Sequence, residues 1–259
     1  MIVLFTDFGL SGPYTGQVKA VLAREAPGVP VVDLFADAPA FDPQLSAYLL
    51  AAYAAEFPAG SVFVCVVDPG VGTERRPLVV EADGRRFVGP DNGLFELVRR
   101  RAAAVRAWAI DWRPDRLSAS FHGRDLFAPV AARLAMGAEM GGAEMGSAVP
   151  ASPVDPAAAH PVGIAWPGWP DELARIVYVD VYGNAMTGIR AASLPEGVRL
   201  HAGGRTIRRG RTFADVPAGE ALWYGNSSGL AEIAVNRGRA DRDLGLSVGL
   251  PVAVTADGL

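Results

Sequence analysis

The sequence predicts a two-domain protein in which an N-terminal α/β domain with a mostly parallel sheet precedes a small antiparallel β domain. Three observations predict this fold. Short apolar runs alternate with stretches of helical spacing early in the chain, a pattern typical of parallel strands covered by helices. Between residues 136 and 170 the composition shifts to Gly, Ala, Pro and Ser, which is typical of a connector. Beyond it, short runs separated by turn residues indicate antiparallel strands.

The elements of the first domain follow from apolar periodicity and from turn residues. In chain order they are strand 2–6, helix 14–25, strand 29–34, helix 44–57, strand 61–67, strands 78–81 and 86–88, helix 94–104 and helix 126–135. We expect the first three strands to be buried, because nearly all of their residues are apolar. Asp83-Gly84 predicts a hairpin turn, and Pro43 stands where the first turn of a helix tolerates proline.

Two aspartates directly follow two of these strands. Asp7 comes after strand 2–6, and Asp68 after strand 61–67. Because ligands bind beyond the carboxyl ends of parallel strands, both carboxylates are candidate ligand contacts. The elements together describe a Rossmann-like α/β domain, although the dinucleotide sequence GxGxxG is missing.

The second domain is predicted from short apolar runs. These are strands 174–181, 198–202, 206–213 and 221–224, with Gly203-Gly204 as the turn between the second and the third. We therefore place the N-terminal domain at residues 1–150, a linker at 151–170 and the C-terminal domain at 171–259.

The composition of the 259 residues argues against several classes of protein. Half of the residues are apolar and the net charge is only −4, which argues against disorder. A pI near 5.4 predicts no nucleic-acid binding. No apolar run is long enough to span a bilayer and no basic leader precedes Ile2, so we expect a cytoplasmic protein that does not bind membranes.

Covalent and metal chemistry are also disfavoured. The single cysteine, Cys65, lies in an apolar strand, where burial raises the thiol pKa. Lys19 is the single lysine, which argues against Schiff-base chemistry. The histidines His122, His160 and His201 are scattered and form no ligand cluster, so no metal site is predicted.

The segment VDPGVGTERR, residues 67–76, is the first candidate for a functional loop. Asp68 stands at the strand end, and a glycine-rich loop returns the chain to Arg75, which can pair with the carboxylate. The segment lacks GK[ST] and is not a phosphate loop. An ordinary turn with a surface ion pair is the alternative interpretation.

Three further segments combine polar residues with glycine. His122, in FHGRD, precedes a predicted helix and is either a capping residue or a general acid/base; the other two histidines lie in the connector and beside a glycine turn. VDVYGN (179–184) and YGNSSG (224–229) suit ligand contacts and ordinary β turns equally well.

Taken in order, the motifs resemble those of one family, the S-adenosyl-L-methionine (SAM) hydroxide adenosyltransferases, which are adenosine-forming SAM hydrolases related to the fluorinase and chlorinase enzymes. The similar segments are TDFG with Tyr14, Gly16 and Lys19 behind it, VDPGVGTERR, GPDNGL, FHGRD, VDVYGN and NSSGLAEIAVNRG. The resemblance covers nearly the whole chain. It implies an α/β domain, a C-terminal β barrel, and a homotrimer whose active sites lie between the N-terminal domain of one subunit and the C-terminal domain of the next.

The resemblance also implies a reaction and a set of residues. The reaction is attack of water at C5′ of SAM, which gives adenosine and L-methionine and needs no cofactor. The implied catalytic residues are Asp68, which orients or deprotonates water, Arg75, which keeps Asp68 ionised, and His122, which completes the hydrogen-bond set. The implied substrate contacts are Asp7 at the ribose hydroxyls, Asp180 and Ser227 at the methionine amine and carboxylate, Asn184, Val235 and Arg237 at adenine, and Glu232 behind them.

The relatives include halogenases, so the nucleophile needs a separate argument. Asp68 would stand beside an incoming halide, and at about 4 Å and an effective dielectric of about 20 that repulsion is on the order of several kcal/mol. The fluorinase has an aromatic residue at the matching position and a hydroxyl where this chain has Gly123. We therefore predict water as the nucleophile; a SAM-dependent chlorinase and a non-catalytic SAM or adenosine sensor remain the alternatives.

Overall fold

A computed structural model describes residues 1–141, 148–149, 151–154 and 168–255. The chain divides into two compact units, Met1–Pro167 and Gly168–Leu259. Residues 155–167 of the predicted linker, His160 among them, lie outside the described residues. Residues 151–154, at the start of the predicted linker, form a strand in the sheet of the first unit.

The first unit contains strands and helices in nearly the predicted order. Its strands are β1 (Ile2–Thr6), β2 (Val31–Phe35), β3 (Val62–Val66), β4 (Pro77–Ala82), β5 (Arg85–Pro90), β6 (Val105–Ile110), β7 (Glu139–Met140), β8 (Ala148–Val149) and β9 (Ala151–Val154). Its helices are α1 (Tyr14–Glu25), α2 (Pro43–Tyr53), α3 (Glu96–Arg101) and α4 (Ala128–Ala135), with a 3₁₀ turn at Ala54–Glu56 and a π-helical turn at Gly123–Phe127.

The main sheet of the first unit has the order β2-β1-β3-β5-β4-β6-β9. β1 pairs in parallel with β2 and β3, and β3 with β5. β4 is antiparallel to β5 and β6, and β9 is antiparallel to β6. Five strands thus run one way and two the other, so the predicted mostly parallel sheet is confirmed.

The centre of this sheet is buried on both faces. Every residue of β1 and β3 is buried, and the side chains alternate between the two faces. Ile2 and Leu4 share one core with Leu22 of α1 and Val130 of α4. Burial on both faces is the reason these strands appear in the sequence as continuous apolar runs.

Two predictions for this unit are wrong. β2 was expected to be buried, but Val32 is 36% exposed because β2 is an edge strand with a single neighbour. The sequence predicts no strand at β6, since the predicted helix 94–104 reaches the residue directly before it. The helix instead ends at Arg101, where Ala102 adopts extended backbone.

The second unit is built from antiparallel strands. They are β10 (Leu173–Val179), β11 (Ala185–Arg190), β12 (Arg199–Ala202), β13 (Arg205–Ile207), β14 (Ala221–Gly225), β15 (Leu230–Val235) and β16 (Ala253–Thr255), with a short helix α5 (Ala240–Asp243). They form one sheet of order β10-β11-β15-β14 and a second of order β13-β12-β16. Trp223 is fully buried in their shared core, and its Nε1 donates to Val198 O at 3.1 Å.

Single bridges connect the edges of these two sheets. Arg209 bridges to Trp223 in β14, and Pro251, which precedes β16, bridges to Arg175 in β10. The predicted antiparallel β architecture is confirmed. Closure into a barrel stays a prediction, because single bridges are not continuous ladders. None of the helices in the described parts of either unit is long and apolar enough to cross a bilayer.

Candidate active site

Asp68 and Arg75 form a buried ion pair beyond the end of β3. Arg75 donates from Nε to Oδ1 of Asp68 at 2.7 Å and from Nη2 to Oδ2. The side chains of Asp68 and Arg75 are only 4% and 7% exposed. The alternative of a surface ion pair is therefore wrong. The two-pronged geometry fixes the orientation of the carboxylate as well as its charge.

Turns within the loop bring Arg75 back to Asp68. The backbone N–H of Val71 donates to Asp68 O at 3.2 Å. The backbone N–H and the hydroxyl of Thr73 both donate to Gly70 O, at 3.1 and 2.7 Å. Two successive tight turns therefore make the seven-residue return that the sequence suggested.

Gly72 allows this loop to pack directly on the segment that precedes His122. Its φ is +81°, and a Cβ there would lie 2.5 Å from the carbonyl oxygen of Ala119. A side chain at this position would be strained by the backbone angle and would also collide with that oxygen. The glycine thus has a packing requirement in addition to its turn.

His122 contacts the ion pair through Arg75. Nη2 of Arg75 lies 3.0 Å from Nδ1 of His122. A guanidinium can only donate, so Nδ1 accepts and the proton of the neutral ring is on Nε2. Burial lowers the pKa of His122, and the positive charge of Arg75 lowers it further. The side chain makes no capping hydrogen bond to the π-helical turn that follows, so the capping interpretation is wrong.

Asp7 lies at the end of the neighbouring strand, β1. Its backbone N–H donates to Val66 O at 3.3 Å, and its Oδ2 accepts from the backbone N–H of Phe41 at 3.0 Å. Burial raises the pKa of Asp7, and the negative charge of Asp68 acts in the same direction. The two strand-end aspartates are therefore electrostatically coupled, as expected for the carboxyl ends of adjacent parallel strands.

Asn92 is a supporting residue that the sequence interpretation missed. Its Nδ2 donates to Val67 O at 2.8 Å, and its Oδ1 accepts from Leu94 N at 3.3 Å. It thereby fixes the backbone directly before Asp68. The only signal was its place in GPDNGL, where an asparagine also suits an ordinary turn.

In the second unit, the turn 180–184 joins β10 to β11 and brings together two predicted substrate contacts. Oδ1 of Asp180 accepts from the backbone N–H groups of Tyr182 and Asn184, at 2.9 and 2.8 Å. Its Oδ2 accepts from Nδ2 of Asn184 at 3.2 Å. The carboxylate therefore shapes the turn, and each oxygen retains further acceptor capacity.

A second turn, between β14 and β15, carries Ser227. Asn226 Oδ1 accepts from Ser228 N and Leu230 N, both at 3.0 Å. Asn226 Nδ2 in turn donates to Oε2 of Glu232 at 2.9 Å. Glu232 is 3% exposed, so it supports the turn from inside the sheet.

The carboxyl of Glu232 also accepts a hydrogen bond from the hydroxyl of Tyr224. Burial raises the pKa of Glu232, the hydrogen bonds from Tyr224 and Asn226 oppose that shift, and the charge of Asp180 adds to it. The charge of Asp180 in the other turn thus acts on the pKa of Glu232, so the two turns lie close enough for their carboxylates to interact electrostatically.

The remaining predicted contacts differ in exposure. Ser227 is exposed at the tip of its turn, and Val235 is buried as the last residue of β15. Arg237 is exposed and has φ +56°, which turns the chain sharply after β15. No group of three or more potential His, Cys, Asp or Glu metal ligands occurs within the described residues.

The arrangement in the first unit suits activation of a small polar molecule. A buried carboxylate, fixed by a guanidinium, can hold a water molecule and take its proton. The guanidinium can stabilise a negatively charged oxygen nearby. The neutral imidazole adds an Nε2–H donor.

Comparisons with known proteins find similarity over nearly the whole length of this chain. Residues 2–144 match the sequence model of the SAM hydroxide adenosyltransferase N-terminal domain, and residues 174–253 match that of the C-terminal domain. A protein of Thermus thermophilus named (R)-S-adenosyl-L-methionine hydrolase is 42% identical, over 97% of this chain and 98% of its own length. A protein of the same name from Salinispora arenicola is 40% identical, over 97% of this chain and 96% of its own length.

Solved structures show the same fold. A crystal structure of an uncharacterized conserved protein from Thermotoga maritima matches with a TM-score of 0.79 and 30% identity, covering 98% of this chain and 99% of that one. A conserved hypothetical protein from Thermus thermophilus matches with a TM-score of 0.71 and 38% identity over the same shares.

Proposed function

This chain belongs to the SAM hydroxide adenosyltransferase family, and on that premise we propose that it hydrolyses S-adenosyl-L-methionine to adenosine and L-methionine. Relatives about 40% identical over nearly their full length are named as hydrolases of this compound. The observation on which the proposed chemistry rests is the buried Asp68–Arg75 ion pair with His122 in contact with Arg75. A non-catalytic sensor would not need a desolvated carboxylate at this position.

The proposed reaction is a single displacement. A water oxygen forms a bond to C5′, the C5′–S bond breaks, and its electron pair stays on sulfur. The water releases one proton, so SAM and water give adenosine, methionine and H⁺. The leaving group is a neutral thioether and needs no acid, and the reaction as written requires neither a metal nor a cofactor.

The cluster supplies what this displacement needs. Asp68 orients the water and takes its proton, since the two hydrogen bonds from Arg75 fix the direction of its carboxylate. Arg75 stabilises the developing charge on oxygen. His122, neutral and with Nδ1 accepting from Arg75, presents Nε2–H as the remaining donor.

The substrate contacts complete the proposal. Asp7 accepts hydrogen bonds from the two ribose hydroxyls, which suits a carboxylate. Asp180 and Ser227 take the methionine ammonium and carboxylate, and Asn184 with residues 235–237 holds adenine. Assembly as a homotrimer with sites between subunits, and a cytoplasmic location, belong to the same proposal.

The names of the relatives add the configuration at sulfur. They specify the (R) epimer, so we propose that this chain also prefers (R)-SAM. The two epimers differ only in the arrangement of groups around the sulfonium. Discrimination therefore depends on how the methionine portion is fixed relative to C5′.

An isotope experiment tests the proposed function. The protein is incubated with each purified SAM epimer in H₂¹⁸O, and adenosine is analysed by mass spectrometry. We expect ¹⁸O at the 5′ oxygen, with faster turnover of the (R) epimer. Adenosine without the label would overturn the water mechanism, and 5′-chloro-5′-deoxyadenosine in concentrated chloride would identify a halogenase instead.

A further inference from the structure

We propose that Arg239, paired with Asp241, positions the turn 180–184 for substrate binding. The proposal rests on the proposed function, which puts Asp180 and Asn184 of this turn against the substrate. Arg239 does not itself need to touch the substrate. It acts by fixing the backbone of the turn that carries the contacts.

The turn is attached through its backbone carbonyls. Nη1 of Arg239 donates to Val181 O at 2.9 Å. The backbone N–H of Asp241 donates to Gly183 O at 3.1 Å. The carbonyls of Val181 and Gly183, one on each side of Tyr182, are therefore hydrogen-bonded to the segment that begins α5.

The attachment is rigid because the guanidinium is itself fixed. Arg239 donates from Nε and Nη2 to the two carboxylate oxygens of Asp241, at 3.0 and 2.8 Å. Its backbone N–H donates to Oδ2 of Asp243 at 2.8 Å. A guanidinium oriented by a two-pronged pair has one direction in which Nη1 can point, and the carbonyl of Val181 lies there.

Gly183 shows how closely the turn lies on this pair. A Cβ at position 183 would be 2.5 Å from Oδ1 of Asp241 and 2.9 Å from Cβ of Arg239. The residue also has φ +84°. Only glycine lets the turn approach the pair this closely.

The apolar side chains of the turn do not supply another anchor. Val181 is 79% exposed and Tyr182 is 72% exposed. The hydrogen bonds of the Asp180 carboxylate lie within the turn, so they shape it without attaching it to the rest of the unit. Strand pairing fixes the base of the hairpin, ending at Val179 opposite Ala185.

Arg239 also connects two proposed contact segments. It lies two residues beyond Arg237, which with Val235 is proposed to contact adenine. The same guanidinium holds the turn that carries Asn184. The pair therefore sets the distance between the groups that receive one adenine ring.

Alanine substitution of Arg239 tests the proposal. We expect the KM for SAM in Arg239→Ala to rise about tenfold or more and kcat to change less than about threefold, because misplaced contacts weaken binding of substrate and transition state alike. Arg242→Ala is the matched control, since it removes the same charge from within α5, three residues away, and has no contact with the turn among the hydrogen bonds of the described residues. Arg239→Lys keeps a donor for Val181 O but loses the two-pronged pair, so we expect an intermediate KM.

The outcomes separate this proposal from the proposed function. A KM for Arg239→Ala within about twofold of the Arg242→Ala value would overturn the positioning role while leaving hydrolysis intact. If the unsubstituted protein releases no adenosine from SAM, the proposed function fails, and calorimetric titration of the same variants with adenosine still decides whether Arg239 governs nucleoside binding. Should Arg239→Ala not fold, Asp241→Asn and Arg239→Lys give the same comparison, with thermal unfolding as the check on folding.

Discussion

Replacing Asp68 by asparagine removes one charge of a buried pair and leaves the other in place. Arg75 is 7% exposed and donates two hydrogen bonds to Asp68. Breaking a buried ion pair by removing one partner costs about 3–5 kcal/mol, because the remaining charge is uncompensated. For a unit of this size, with about 2–4 °C per kcal/mol, we expect the Tm of Asp68→Asn to fall by about 6–20 °C.

The double variant Asp68→Asn/Arg75→Met separates stability from chemistry. With both charges gone, no buried charge is left unpaired, so we expect most of the lost stability to return. We expect that adenosine formation does not return, since the group proposed to take the proton of water is still missing. We expect kcat at least about 10²-fold below that of the unsubstituted protein in both variants.

Thermal unfolding and chromatographic measurement of adenosine at saturating SAM give the two readouts. Glu25→Gln is the control, because it removes the carboxylate that pairs with Arg24, whose side chain is 69% exposed. The Tm and kcat of this variant should stay close to those of the unsubstituted protein. A kcat for Asp68→Asn within a few-fold of normal would remove Asp68 from the mechanism. Recovery of kcat in the double variant would do the same.

Three further predictions concern pH, backbone and ribose binding. Because the pKa of His122 is lowered, the neutral ring predominates at pH 6.5, so we expect the acid limb of kcat/KM to lie below that value and to be altered in His122→Gln. The unfolded chain takes up this proton first, so stability is lost as the pH falls from 6.5 toward the lower pKa of the folded state, which unfolding curves at several pH values check. Gly72→Ala should lower the free energy of unfolding by more than Gly28→Ala. Both glycines have φ near +80°, but only at Gly72 would a Cβ collide with Ala119 O. Equal losses of unfolding free energy in denaturant titrations would contradict this collision. Asp7→Ala should weaken adenosine binding about tenfold or more, as measured by calorimetry. The binding of 2′,3′-dideoxyadenosine should weaken much less, because only adenosine has the two ribose hydroxyls. An equal loss of affinity for both ligands would contradict a ribose contact.

The sequence predicted the parts of the candidate site in which a polar residue follows a buried strand. The runs at β1 and β3 are apolar because both faces are covered, and each is followed by an aspartate, so the neighbouring positions of Asp7 and Asp68 could be predicted. The return of Arg75 to Asp68 could be predicted as well, since the glycines between them permit tight turns.

What the sequence did not predict depends on neighbours distant along the chain. The exposure of β2 follows from its edge position, which its apolar residues do not reveal. The hydrogen bond from Arg239 to Val181 spans 58 residues, and an arginine in a polar segment carries no signal for such a contact. Asn92 supports the backbone at Val67 from a position 25 residues away, for the same reason.

The burial of Cys65 gives this protein a practical property. Its thiol is fully buried in β3, and burial raises its pKa well above the ordinary value, so thiolate-directed reagents find no ready target in a chain with a single cysteine. A cysteine introduced by Tyr182→Cys, at a position that is 72% exposed, would therefore be the one thiol to react in the folded protein. A fluorophore attached there would test, without background labelling, whether adenosine binds at the turn 180–184.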